Sequence, residues 1–141
     1  MNISKFTQKS VQAVQDLEKV AYEYGNQEVE QEHLLYALLT QEDSLILKLI
    51  EKMEINKDYF INTVKKALDA KVKVSGGDLR FGQYLNKSLV NAENEAKAMG
   101  DEYVSVEHLF LSLLTQPSPS MKKIFNELES PERDFSRHFQ L

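Results

Sequence analysis

An all-α fold built from two tandem four-helix repeats is predicted by three features of the sequence. First, residues 6–41 repeat at 81–116, and 13 of the 36 aligned positions are identical at an offset of 75, which identifies an internal duplication. Second, apolar residues recur every three or four positions, as they do on one face of a helix. Third, the alternating pattern of strands is almost absent. We therefore expect one domain in which the repeats pack about a pseudo-two-fold axis.

The first repeat is predicted to span residues 3–71 and to contain four short amphipathic helices. The first helix begins at Thr7, a good N-cap, and ends at Gly25, which suits the left-handed position that follows a helix. The second helix carries the apolar block that follows Glu32, and the third begins near Ser44. Helices this short are marginal alone, so they must pack against one another.

Residues 72–80 are predicted to be a linker, because the pair Gly76-Gly77 breaks the helical period. The second repeat is then expected over residues 81–141, with the same order of helices. Its expected helices are Gly82–Met99, a core helix capped by Ser105 and ended by Pro117 and Pro119, Ser120–Glu129, and a last helix that starts at Pro131.

The composition excludes several classes of function. The net charge of -5 and the absence of any Lys/Arg cluster argue against nucleic-acid binding. The chain has no cysteine, which excludes disulfides and thiolate metal sites. Neither a signal peptide nor a run of membrane-spanning length is recognisable, so a cytoplasmic protein that contacts no membrane is expected.

No catalytic motif is present in the sequence. The pair Gly76-Gly77 lacks the lysine and the strand–loop–helix setting of a phosphate-binding loop. There is no G-x-S-x-G motif of a serine hydrolase either. The chain alone is therefore expected to have no catalytic residue, no cofactor and no ATPase activity.

Two Glu-His pairs, Glu32-His33 and Glu107-His108, are the one constellation that suggests chemistry. Adjacent residues on a helix point about 100° apart, and neither copy has the two histidines one turn apart that a zinc H-E-x-x-H motif needs. We expect the carboxylates to complement the helix dipole and the histidines to be half-buried and bonded locally. A small metal-dependent enzyme built on these pairs is kept as an alternative.

The Phe6-Thr7 helix start, the glycine-ended first helix and the paired E-H-L blocks resemble the Clp repeat domain, the N-terminal module of the Clp/Hsp100 AAA+ unfoldases. The resemblance runs from about Ile3 to Leu128, after which the sequence departs from the family's closing helix. It implies a domain that engages unfolded or aggregated polypeptide, and in some members adaptor proteins, and that is attached to a hexameric ATPase ring. Gly76-Gly77-Asp78 and residues 100–105 are most similar to ClpB-like disaggregases, which act in the stress response. ClpC-like proteins, which are coupled to proteolysis, are the alternative.

The resemblance also implies site residues. In ClpB-like domains the positions matching Thr7, Asp101 and Glu107 act in substrate handling. In ClpC-like domains the positions matching Glu32 and Glu107 bind phosphoarginine on marked substrates. Thr7 is expected beside the first of these carboxylates and Gly82 beside the second.

A client groove is expected near the junction of the repeats. Its apolar lining is predicted to come from Leu85, Leu89 and Phe110, with Asp101 and Glu107 on the rim. Grooves of this kind bind extended or helical peptides. A purely structural role, in which the domain only tethers or stabilises a hexameric ring, is the remaining alternative.

Overall fold

The structure is a computed structural model that describes residues 3–128. Within these residues the chain forms seven α-helices after a short 3₁₀ turn at Ile3–Lys5, which confirms the all-α prediction. The predicted helix that starts at Pro131 lies outside the described residues. The helices are α1 (Gln8–Glu23), α2 (Gln31–Leu39), α3 (Leu45–Lys52), α4 (Lys57–Asp69), α5 (Gln83–Ala98), α6 (Val106–Thr115) and α7 (Pro119–Leu128). None of the described helices is both long enough and apolar enough to cross a membrane.

The duplication is visible in the helix boundaries. α1 and α5 correspond residue for residue at the offset of 75, and α2 and α6 begin at equivalent positions. α3 and α7 overlap under the same offset. The two halves are thus copies of one helical plan, as the pseudo-two-fold prediction requires.

Two short parallel pairings join the repeats, and they are equivalent to each other. β1 (Glu28–Val29) pairs with β2 (Arg80–Phe81) in parallel, with Val29 opposite Phe81. Phe6 and Val104 form the other parallel bridge. Adding 75 to Phe6 and Val29 gives Phe81 and Val104, so the second pairing is the first with the repeats exchanged.

The two pairings place the start of each repeat's first helix against the other repeat. The backbone N–H of Thr7 donates to the carbonyl oxygen of Val104 at 2.9 Å. The N–H of Gly82 donates to the carbonyl oxygen of Val29 at 2.8 Å. α1 therefore begins next to the segment that leads into α6, and α5 begins next to the segment that leads into α2.

The core is centred on α2 and α6, the two most apolar helices. Every residue of α2 except Tyr36 is buried, and α6 is buried from Val106 to Leu113 apart from Glu107. α2 packs against α1, α3, α4, α5 and α6. Each fully buried leucine contributes about 1.5–3 kcal/mol relative to an exposed one, so these helices supply much of the driving force for folding.

The helix starts follow the capping rules that the sequence suggested. Side-chain oxygens of Thr7, Ser44 and Asn56 accept backbone N–H groups of α1, α3 and α4 at 3.2, 3.0 and 3.0 Å. Gly25 and Gly100, which follow α1 and α5, have φ angles of 67° and 74°, a region that favours glycine.

α7 begins one residue earlier than predicted, at Pro119 rather than Ser120. A proline suits the first turn of a helix because it has no N–H that would need a partner and its φ is already helical. The hydroxyl of Ser118 accepts from the N–H of Met121 at 3.2 Å. Ser118 therefore caps the helix, and Pro119 opens it instead of only ending α6.

Candidate functional site

The first Glu-His block opens α2 with an imidazole cap. The backbone N–H of Glu30 donates to Nδ1 of His33 at 2.9 Å. Nε2 of His33 lies 3.0 Å from Oδ1 of Asn26. Because Nδ1 accepts a hydrogen bond, the proton of the neutral ring is on Nε2, which donates to Asn26. The prediction of local bonding is confirmed, but His33 is fully buried rather than half-buried.

The second block repeats this arrangement at the start of α6. The N–H of Ser105 donates to Nδ1 of His108 at 2.9 Å, and Nε2 of His108 lies 2.8 Å from Oδ2 of Asp101. His108 is 4% exposed, also more buried than predicted, whereas the side chain of Asp101 is 48% exposed. The imidazole thus fixes the orientation of a carboxylate that still faces solvent.

The surroundings of His33 favour the neutral form of its imidazole. Burial, followed by the positive charge of Lys71, lowers the pKa of His33 to about 4. Both effects penalise the imidazolium form, because a cation loses its hydration on burial and is repelled by a like charge. His33 is therefore a structural cap at neutral pH.

Residues 3–128 contain no group of side chains that could form the metal site of the metal-dependent alternative. No three His, Asp or Glu side chains within that range lie close enough together to bind one ion. In addition, Nδ1 of each buried histidine already accepts a backbone N–H. A ring nitrogen that accepts a hydrogen bond in this way has no lone pair left for a metal.

The carboxylate of Glu32 is buried and paired with a lysine. Its side chain is 2% exposed, and its Oε2 lies 2.8 Å from Nζ of Lys71. The same Nζ lies 2.6 Å from Oε2 of Glu30, and the hydroxyl of Ser120 donates to Oε2 of Glu32 at 2.9 Å. Burial by itself would lower the pKa of Lys71, but the hydrogen bonds to Glu30 and Glu32 outweigh it and raise that pKa.

Gln31, the neighbour of Glu32, connects α2 to the second repeat. Its Nε2 donates to Oγ of Ser88 at 2.8 Å and to the carbonyl oxygen of Gln116 at 3.0 Å. Its Oε1 accepts from the N–H of Ser118 at 2.8 Å. The first turn of α2 therefore acts as a buried polar contact between the repeats.

Glu107 occupies the equivalent position in the second repeat but has a different environment. Its side chain is exposed and forms no hydrogen bond or ion pair with another residue of the part of the chain that the structure describes. Its neighbour Val106, which replaces Gln31, is apolar and buried. Within residues 3–128 the two copies thus differ: the Glu32 side chain is bonded internally, and the Glu107 side chain faces solvent.

Thr7 lies beside the segment that leads into the second Glu-His block rather than beside Glu32. The sequence placed it beside Glu32, but its N–H is bonded to Val104, which is three residues from both Asp101 and Glu107. The reason is that the first helix of each repeat begins against the other repeat, an arrangement that we call the exchange of helix starts. Gly82, expected beside Glu107, lies instead against Val29, on the side of Glu32. We call Thr7, Asp101 and Glu107 the α6 rim.

The three apolar residues expected to line an open groove lie in the core instead. Leu85, Leu89 and Phe110 are 0%, 3% and 0% exposed, and the ring of Phe110 makes an edge-on contact with that of Phe125, with centroids 6.3 Å apart. Leu85 and Leu89 are one turn apart on α5, a helix that packs against both α6 and α2. Apolar residues at helical spacing form the buried face of a helix, and these residues belong to such a face.

Lys71 is the residue that the sequence analysis missed. It lies 39 positions from Glu32 and just beyond the end of α4, in a stretch with no helical periodicity. Neither spacing nor composition distinguishes it from the other lysines. Only the packing of α4 against α2 brings it to Glu32.

The sequence profile of the Clp repeat (R) N-terminal domain matches residues 5–128 of this chain. The chain belongs to this family. Chaperone protein ClpB of Nitratidesulfovibrio vulgaris is 38% identical over 126 residues, which cover 86% of this chain and 15% of that protein. ClpB of Clostridium tetani is 39% identical over 132 residues, 90% of this chain and 15% of that protein. The Clp N-terminal domain described by this chain thus spans about 15% of the length of these curated relatives.

Solved structures of Clp N-terminal domains share the fold. The Hsp104 N-terminal domain from Candida albicans has a TM-score of 0.79 at 21% identity, covering 88% of this chain and 81% of that chain. The N-domain of ClpV from Vibrio cholerae has a TM-score of 0.74 at 19% identity, with coverages of 97% and 84%. A ClpV N-domain described as a complex with VipB peptide has a TM-score of 0.71 at 20% identity, with coverages of 90% and 81%.

Proposed function

We propose that this Clp N-terminal domain is the client-binding module of a ClpB-like cytoplasmic chaperone. It holds exposed segments of unfolded or aggregated polypeptide, with adaptor proteins as further partners, and delivers them to a hexameric AAA+ ring that supplies the ATPase activity. Family membership and the similarity to ClpB proteins support this function. The observation that carries it is the α6 rim, where two carboxylates with fixed backbones face solvent next to the junction of the repeats.

The chemistry of the α6 rim suits polypeptide with basic and apolar side chains. Asp101 is held in place by His108, so its carboxylate is preorganised for a cationic partner. Tyr103, between Asp101 and Glu107, is 50% exposed and has an apolar ring with a polar hydroxyl, a combination that is common at interfaces. The Nζ atom of Lys5 lies 5.9 Å from the centre of this ring. An unfolded client must be ordered on binding, so the affinity is modest.

A peptide complex of the same fold supports this mode of binding. One ClpV N-domain is described as bound to a VipB peptide, so a domain of this architecture can bind a polypeptide segment. Short peptides commonly bind to surfaces formed by packed helices. The proposal extends this general capacity, rather than the identity of the peptide, to the present chain.

The ClpC-like alternative is less well supported. It requires the carboxylates of both Glu32 and Glu107 to receive phosphoarginine, but Glu32 is 2% exposed and paired with Lys71. The two relatives described above are ClpB proteins. Both observations favour a client site at the second repeat.

The proposal is tested by titrating a fluorescently labelled, permanently unfolded model protein with the purified domain and measuring anisotropy. Charge-removing variants Asp101→Asn and Glu107→Gln are expected to weaken binding by about threefold to tenfold each, since a lost charge-assisted contact is worth about 1 kcal/mol or more. Glu18→Gln is the matched control, because Glu18 is an exposed glutamate on α1, away from the α6 rim, and should bind as the wild type does.

Two results would reject the proposal. One is the absence of any client binding by the intact domain. The other is binding that neither Asp101→Asn nor Glu107→Gln weakens relative to Glu18→Gln. Circular dichroism of each variant shows whether it is folded, so a loss of binding through unfolding is recognised.

A further inference from the structure

We propose that a groove between α4 and α7 binds an amphipathic helical segment of a partner protein, and that the polar face of this segment is acidic. The groove has a volume of about 480 Å³ and is formed mainly by one helix from each repeat. None of the α6 rim residues lines it. The inference therefore adds a second docking surface to the domain and does not rest on the proposed function.

The groove follows the length of both helices. On α4 its lining residues recur every three or four positions from Tyr59 to Ala70, and on α7 they extend from Ser120 to Glu127, so each helix contributes one face. The stretch from Tyr59 to Ala70 is about 16 Å long at the rise of an α-helix, which matches roughly three turns of a third helix. We call this surface the α4–α7 groove.

Several polar groups along the α4–α7 groove are already bonded within the chain. The hydroxyl of Thr63 donates to the carbonyl oxygen of Tyr59 at 2.8 Å, and that of Ser120 donates to Glu32 at 2.9 Å. Glu32 and Lys71, which line one end of the groove, are paired with each other at 2.8 Å. These groups need no external partner, so they leave the groove free for apolar contacts.

The apolar contacts of the α4–α7 groove are offered by a large residue beside small ones. Tyr59 is 55% exposed, and exposed aromatic rings are common anchors of interfaces. Ala67 and Ala70, farther along the same face of α4, have short side chains that leave room for side chains of a partner. An amphipathic helix binds to such a surface through apolar residues spaced by one turn.

The charged groups left free in the α4–α7 groove are mainly cationic. Lys66 and Lys123, one on each wall, are exposed. Neither forms an ion pair with another residue of the part of the chain that the structure describes. Glu127, on the same wall as Lys123, is the only exposed carboxylate among the described residues that line the groove. The groove thus presents an excess of positive charge to a partner.

α4 and α7 are basic helices in an acidic chain. Together they carry five lysines and three acidic residues, whereas the whole chain has a net charge of -5. Residues 100–107, which contain the carboxylates of the α6 rim, include three acidic residues and no lysine or arginine. Complementary charge selects partners at an interface, so the α4–α7 groove favours acidic segments and the α6 rim favours basic ones.

The test is fluorescence anisotropy of the 141-residue chain with two labelled peptides of about 12 residues, or three helical turns. Both peptides have leucines on one face of a helix, and their polar positions are glutamates in one and lysines in the other. At low salt the acidic peptide is expected to bind about tenfold more tightly than the basic one, with an affinity that falls as salt is added. An equal or reversed preference rejects the proposal.

Charge reversal locates the binding site of the acidic peptide. The variant Lys66→Glu/Lys123→Glu is expected to weaken binding by about tenfold or more, because attraction becomes repulsion. The matched control Lys19→Glu/Lys97→Glu changes the net charge equally at exposed lysines of α1 and α5 and should bind nearly as the wild type does. Equal weakening by the two double variants overturns the proposal, since net charge alone would then explain the binding.

The variants Asp101→Asn and Glu107→Gln should not weaken binding of the acidic peptide. A failure of the α4–α7 groove is thereby distinguished from a failure of the α6 rim, which is tested with a different probe. Circular dichroism of each variant shows whether it is folded.

Two other occupants of the α4–α7 groove would overturn the proposal. If Phe135→Ser/Phe139→Ser in the full chain binds the acidic peptide about tenfold more tightly than the wild type, the groove is filled by residues 129–141, because their removal from it relieves competition. If sedimentation shows a wild-type dimer that Lys66→Glu/Lys123→Glu dissociates, a second copy of the chain fills it. A wild-type monomer, with no gain of affinity in the phenylalanine variant, is the result expected for an external partner.

Discussion

The backbone N–H of Thr7 donates to the carbonyl oxygen of Val104 at 2.9 Å, and Gly82 makes the equivalent bond to Val29 at 2.8 Å. Through these bonds each repeat positions the first helix of the other. Thr7 is thereby brought to the segment that contains Asp101 and leads to Glu107. The α6 rim is consequently composed of both repeats, although two of its three residues are in the second.

Glu32→Gln and Glu107→Gln, which are equivalent positions of the duplication, should differ in stability. The first change removes a buried charge that is bonded to Lys71 and Ser120, and we expect a loss of about 1–3 kcal/mol in the free energy of unfolding. The second change affects an exposed side chain and should stay within about 0.5 kcal/mol of the wild type. Urea unfolding of the two variants measures the difference. Equal losses would contradict the structural divergence of the two copies.

Acidification should destabilise the domain through His33. Its pKa in the folded state is lowered to about 4, below the ordinary value of about 6.5, so between these values the unfolded chain binds a proton that the folded chain does not. Stability should therefore fall as the pH decreases from about 6.5 to 4, by on the order of 2–3 kcal/mol from this residue. Urea unfolding at several pH values measures the slope.

The variant His33→Gln serves as the control for this pH dependence. A glutamine at this position can still accept the cap bond from Glu30, as in an ordinary capping box, but it does not titrate. The loss of stability on acidification should be smaller in this variant, with the remainder coming from carboxylates. An unchanged slope would show that His33 is not the group responsible.

Thr7→Ala should cost about 1 kcal/mol of stability, because it removes the side-chain acceptor for the N–H of Ser10 at the start of α1. Thr7→Ser keeps the hydroxyl and should behave nearly as the wild type. Hydrogen exchange of the first-turn amides of α1, together with urea unfolding, measures the effect. If the alanine and serine variants unfold alike, the cap is not a source of stability.

Phe110→Ala should be among the most destabilising single changes in α6. The ring is fully buried and packs edge-on against Phe125, and removing a buried phenylalanine side chain typically costs about 3–5 kcal/mol. Tyr22→Ala is the control, since Tyr22 is 64% exposed and should change stability by less than about 0.5 kcal/mol. Thermal or urea unfolding distinguishes the two. If the Phe110→Ala domain were as stable as the wild type but bound clients poorly, Phe110 would line a client groove, as the sequence predicted.

The helices could be predicted from sequence because their signals are local. Thr7, Ser44 and Asn56 are strong caps, and the offset of 75 transfers the boundaries of α1 to α5 without change. The two-residue strands were not predicted, since a pairing as short as Val29 with Phe81 has no alternating pattern to detect.

The candidate site was less predictable because its geometry depends on contacts between distant residues. Thr7 was placed with its own repeat, and only the exchange of helix starts puts it beside Val104. The burial of Leu85 and Phe110 could not be separated from groove lining by periodicity, which is the same for both. The partner of Glu32 depends on how α4 packs, and nothing near Glu32 in the sequence indicates Lys71.

The exchanged helix starts make this chain the covalent equivalent of a swapped homodimer. Each of the two parallel pairings needs one segment from each half. A single half with the equivalents of Phe6 and Val29 could form these pairings only with a second copy of itself, as in a symmetric dimer. Its folding would then have depended on protein concentration. Fusing the two copies into one polypeptide removes that dependence and frees each half to mutate separately, so that equivalent positions such as Gln31 and Val106 can differ.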